Sequence, residues 1–124
     1  MPFGGIPRTP FTLLPVVRLP IWREAALWWP AQRTLVVAEA VGKAAHYLAP
    51  GEQLAVHPAL RLTPPRRLVR YEPEHLLLGH GGGLHGEEAS ALLREAVATS
   101  RRRTLSWARG LCCARGRHDV VISL

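Results

Sequence analysis

Lysine is nearly missing from this chain: Lys43 stands alone among 16 lysines and arginines. The net charge of +7 is therefore arginine charge. So one-sided a choice reflects genome composition more readily than selection for phosphate contacts. Cysteine is scarce too. Only Cys112 and Cys113 occur, and sequence neighbours close a strained ring if they pair, which excludes a disulfide framework. Long apolar runs are absent. Pro2, Pro7, Pro10, Pro15 and Pro20 interrupt the amino-terminal stretch, so no signal-peptide core is expected there, and nothing later is long enough to span a bilayer. The expectation is a reduced, cytoplasmic protein with no membrane partner.

The chain does have apolar residues enough for a core: 48% of its 124 positions are hydrophobic. That length allows one small domain or part of a larger one. The charge is unevenly placed, with Arg101, Arg102, Arg103, Arg109, Arg115 and Arg117 in the last quarter, giving a basic end and not a basic face. With Trp107 this cluster has the parts to hold phosphates and stack a base. No recognised binding module accompanies it, so a solvated helix end is the expected role and nucleic acid is not the expected partner.

Read along the chain, residues 1–11 form an opening loop rich in proline and glycine. Thr12 to Leu19 is expected as an edge strand, because Pro15 cannot donate to a ladder and is tolerated only at an edge or bulge. Glu24–Trp29 and Thr34–Ala38 are strands joined as a hairpin through Pro30-Ala31-Gln32-Arg33. Trp28 and Trp29 point to opposite faces, so at least one enters the core, with Trp22 nearby. Between Gly42 and Arg70, prolines leave room only for short helical turns, at His57–Arg61 and Arg66–Tyr71. A helix is expected from Glu87 to about Ser106. Its buried stripe is Ala89, Leu92, Leu93, Ala96 and Val97, with Glu87 and Glu88 at its start and Arg101–Arg103 at its end, as the helix dipole favours. Residues 107–124 read as a basic, loosely ordered tail in which Val120–Ser123 has strand composition.

The segment His75-Leu76-Leu77-Leu78-Gly79-His80-Gly81-Gly82-Gly83 carries the functional question. Its leucines suit a short strand buried on both faces, and Gly79 stops it. The glycines beyond open backbone angles closed to other residues, which lets the chain pass close to a ligand. A neutral imidazole at such a strand end suits a divalent metal, usually zinc. From the residues alone, a histidine in an ordinary glycine-rich turn is the simpler reading. His46, His57, His75 and His85 are further candidates, and His80 with His85 spans the glycine loop; most of these read as surface residues.

The stretch WWPAQRTLVVAEAVG, followed by EPEHLLLGHGGGLHG and a helix, resembles the carboxy-terminal half of the metallo-β-lactamase fold superfamily. The resemblance implies a sandwich of two β-sheets with helices outside, and hydrolysis dependent on zinc or iron. It implies His80 as the last histidine ligand and places Glu39 where an aspartate normally bridges two metals. The family's HxHxDH motif has no counterpart, and no histidine occurs before His46. The expected fold class is therefore α/β: a partial αββα sandwich over residues 12–106, with a mixed sheet, a hairpin and a packed C-terminal helix. The expected function is that of a hydrolase-like protein, truncated or degenerate. Its metal ligands would be His80 and Glu39, for zinc with iron as the alternative, and it has no catalytic set of its own. Its partner would be a second copy or a missing N-terminal half. The alternatives are a non-catalytic interaction protein on the same half-fold and, behind it, a basic nucleic-acid binder.

Overall fold

The computed structural model describes residues 4–79 and 82–110. His80, Cys112, Cys113 and the stretch Val120–Ser123 lie outside the described residues. The elements are β1 (Gly4–Gly5), β2 (Thr12–Leu19), β3 (Trp22–Trp29), β4 (Thr34–Val37), β5 (Val41–Gly42), β6 (Ala55–Val56), β7 (His75–Leu78), β8 (Leu84–His85) and helix α1 (Glu87–Thr99). The fold is mixed α/β. Six strands make one sheet in the order β1-β2-β3-β4-β7-β8, and β5 with β6 forms a separate two-stranded ladder. Every pairing in the larger sheet is antiparallel except β4 with β7, where Thr34 to Val37 run parallel to His75 to Leu78.

Period-two alternation builds the inner face. Leu14, Val17, Ala26, Trp28, Leu35, Val37, Leu76 and Leu84 are buried on it, and Ala89, Leu93, Ala96 and Val97 of α1 close over the same core. Leu35, Leu76 and Leu93 are fully buried, each stabilising the fold by about 2 kcal/mol relative to exposure. Trp28 stacks at a tilt on Tyr71, ring centroids 5.1 Å apart, while Trp29 on the other face meets Phe11 edge-on at 5.6 Å. Strand β2 is not the edge strand expected, since β1 pairs with Thr12 and Leu13 on its other side; Pro15 is accommodated at a bulge between Pro15 and Val17 in the β2–β3 ladder. The β3–β4 hairpin turns through a 3-10 segment, Pro30–Gln32, that ends on Arg33 with left-handed backbone.

Several expectations need correction. Residues 1–11 are not all loop, since Gly4 and Gly5 pair with Leu13 and Thr12; backbone pairing of two glycines leaves no side-chain signal. Strand β7 is not buried on both faces. Leu76 is fully buried but Leu77 is 40% exposed, because α1 and the crossover cover only one side of the sheet. The crossover holds the two anticipated helical turns, at Pro58–Leu60 and Arg66–Tyr71, plus a third at Ala45–Tyr47 and the β5–β6 ladder. The helix stops at Thr99, and residues 104–110 form a second helical segment after a turn.

Ser100 causes that break. It is fully buried, its hydroxyl donates to the Arg61 carbonyl at 2.6 Å, and its own carbonyl accepts from Arg61 Nη1 at 3.3 Å. Arg61 is itself buried and ion-paired to Glu52 at 2.5 Å. The second helical segment places Trp107 against this centre. Its indole donates to the His46 carbonyl at 2.8 Å, and the Arg61 guanidinium lies 5.9 Å from its ring centroid. Trp107 is thus engaged in packing and is not a free stacking surface for a base. Among the described residues no helix is long and apolar enough to cross a membrane.

Candidate functional site

Parallel pairing puts the carboxyl ends of β4 and β7 side by side. The β4–β7 ladder continues past Leu78, since the Gly79 N–H donates to the Val37 carbonyl at 3.1 Å. At that point the two chains touch so closely that a Cβ on Gly79 would stand 2.3 Å from the Ala38 carbonyl oxygen. Ala38 immediately precedes Glu39, and Gly79 immediately precedes His80. Of the two expected ligands, Glu39 leaves the sheet beside the end of β7, and His80 lies outside the described residues.

The backbone around Glu39 is held by groups the sequence reading did not single out. Glu24, near the start of β3, accepts the Glu39 N–H at 3.0 and 3.1 Å on its two carboxylate oxygens and the Ala40 N–H at 2.9 Å. The Tyr47 hydroxyl donates to the Glu39 carbonyl at 2.7 Å. Burial, and then the negative charges of Glu39 and Glu24, push the Tyr47 phenol up to about 12. The Glu39 side chain itself is exposed.

His57 arrives at the same corner from the crossover. Its N–H donates to the Ala40 carbonyl at 2.7 Å, and its Nδ1 accepts the Ala59 N–H at 3.0 Å, which places the ring hydrogen on Nε2. The ring packs on Trp22 at 4.7 Å and on Tyr47 at 5.1 Å. Of the histidines proposed to supplement His80, His57 is the one the described fold carries to the strand ends. Its signal was a histidine directly before Pro58, where the side chain can cap a tight turn. Glu24 had a weaker signal, a charged residue inside the alternation Trp22-Arg23-Glu24-Ala25-Ala26.

The remaining candidates fall elsewhere. His85 pairs with His75 across β7 and β8, with the two Nδ1 atoms 2.8 Å apart, so its described partner is on the strand and not across the glycine loop. His46 packs edge-on against Tyr47 at 4.8 Å. Glu87 and Glu88 occupy the first turn of α1, where the helix dipole accounts for them.

A catalytic zinc site needs three protein ligands and an open position for water. Among the described residues no group of three or more His, Cys, Asp or Glu side chains is placed to hold an ion. The described residues at the Glu39 corner therefore do not by themselves form a complete hydrolytic set. Comparisons with protein-family models, with curated proteins and with solved structures found no match to this chain.

Proposed function

We propose that this chain is a hydrolase-like protein of the metallo-β-lactamase type that keeps one corner of the metal site, with Glu39 and His80 as ligands to zinc or iron. The observation that supports the reading is the close approach of Gly79 to Ala38 at the ends of β7 and β4, since these two residues directly precede His80 and Glu39 in the chain. It is supported by the β3–β4 hairpin leading into a crossover and a parallel strand with a helix behind it. The six-stranded sheet with helix on its inner face is taken, in this reading, as one half of an αββα sandwich. In this reading Glu24 and Tyr47 position the Glu39 backbone, and further ligands come from outside the described residues. The lack of a disulfide framework favours a cytoplasmic setting.

The test is zinc competition against a chromophoric chelator with wild type, Glu39→Ala and His80→Ala. The reading expects one ion per chain and a loss of affinity of about tenfold or more in each variant. Identical zinc binding in all three removes it.

A second reading, a non-catalytic interaction protein, is favoured by the outer sheet face. The cross-strand register aligns Leu13, Leu27, Val36 and Leu77 in one apolar row, and Leu77 is exposed. A row of this kind suits packing against a second sheet, which a second copy of the chain supplies.

A further inference from the structure

The amino end of β7 carries a second arrangement, four residues and roughly 13 Å along the strand from Gly79. His75 and His85 are directly opposed across the β7–β8 ladder. Their rings lie 5.1 Å apart at a tilt of 58°, with the two Nδ1 atoms 2.8 Å from one another. Gly83 helps set this geometry: a Cβ there would stand 3.4 Å from His85 Nε2 and 3.2 Å from the Leu77 side chain. The His85 and Leu77 side chains thus pack close over the Gly83 backbone.

Two nitrogens each about 2.0 Å from one ion stand about 2.8 Å apart when the ligand–metal–ligand angle is a right angle, and about 3.3 Å apart at a tetrahedral angle. The observed 2.8 Å is the length of a hydrogen bond between the two rings, and an ion replacing that hydrogen at the same spacing would be held at a right angle, the angle of tetragonal ions; copper(II) also binds nitrogen donors most strongly among the divalent ions. Glu72 and Glu74 before His75 and Glu87 after His85 flank the pair in the chain, although the cleft these carboxylate residues line with Arg33 and Arg94 beside α1 does not include the two histidines. Glu74 directly precedes His75 in the chain, and Gly86, which follows His85, donates its N–H to the Glu74 carbonyl at 2.7 Å.

We infer that His75 and His85 form a binding site for a divalent ion of the copper(II) class, held through both Nδ1 atoms with water completing the coordination. The pair is neutral when it shares one hydrogen between the two Nδ1 atoms. Binding moves that hydrogen to the Nε2 of the ring that carried it, which frees both lone pairs without net proton release. This site is separate from the Glu39 corner, since its ligands lie at the opposite end of β7.

The experiment is calorimetric titration of the full chain with copper(II) chloride, paired with electron paramagnetic resonance of the one-ion complex. The variants are His75→Ala, His85→Ala and His80→Ala, each checked by circular dichroism. The expected result is an ion bound here with two equatorial nitrogens, beside any ion taken by the Glu39 corner. His75→Ala and His85→Ala each weaken this ion about tenfold or more and lose a nitrogen from its spectrum, while His80→Ala keeps its two-nitrogen signature. Unchanged affinity and spectrum in His85→Ala overturn the inference. So does loss of binding in His80→Ala with His75→Ala unaffected, which assigns the copper to the other corner. Should His75→Ala fail to fold, His85→Ala decides alone, its side chain being exposed.

Discussion

Gly79 is the residue on which the account turns most sharply. Its absent Cβ is what lets β7 end against β4, with 2.3 Å separating that virtual atom from the Ala38 carbonyl oxygen. Gly79→Ala must push two paired strands apart, and we expect a loss of about 3 kcal/mol, read by urea denaturation. An unchanged midpoint would mean the close approach is not real. Tyr47 gives a prediction in pH. Its phenol is raised from 10.0 to about 12 in the folded chain, so the folded state holds that proton more tightly than the unfolded one. The resulting stability is fully present below pH 10 and is lost as pH rises through 12. Tyr47→Phe should remove that alkaline decline while costing about 1 kcal/mol at neutral pH for the hydrogen bond to Glu39. At this scale the sequence marked Gly79 as the end of its strand but did not single out Glu24 or Tyr47. Those two act on backbone amides and a carbonyl brought near by the hairpin and crossover, and such partners leave no local pattern.

Among elements, strands and turns were legible where side-chain pattern sets them. Thr12–Leu19 and Arg66–Tyr71 have the expected bounds, because alternation and proline act locally. The long helix was misjudged because its stripe of small and aliphatic residues runs on while Ser100, a hydroxyl at its end, is drawn into the core by Arg61. Arg61 ties three elements together: Glu52, the Tyr47 carbonyl at 2.9 Å and the Ser100 turn. Its Nε has no hydrogen-bond partner among the described residues, so the centre is stabilised by the guanidinium ends. Arg61→Ala leaves the buried Glu52 carboxylate uncompensated and should cost about 3 to 5 kcal/mol. It should also release Trp107, whose fluorescence then moves to longer wavelength. A small thermal shift with an unmoved emission maximum would contradict this.

At the scale of the molecule, the sheet is dressed on one side only. The crossover and α1 cover the inner face, and Leu13, Leu27, Val36 and Leu77 line up across the outer one. On the second reading, wild type associates with rising concentration in sedimentation, and Leu77→Lys shifts it toward monomer without lowering its melting temperature by more than about 2 °C. The outer row was hidden in the sequence because the leucine run reads equally as a strand buried twice, and only the register reveals which side is bare. The central claim is that the adjoining ends of β4 and β7 hold a metal. It is tested most directly by elemental analysis of the purified chain beside His80→Ala and Glu39→Ala prepared identically. The account predicts zinc or iron near one ion per chain in wild type and little in either variant; negligible metal in all three, or equal metal in all three, contradicts it.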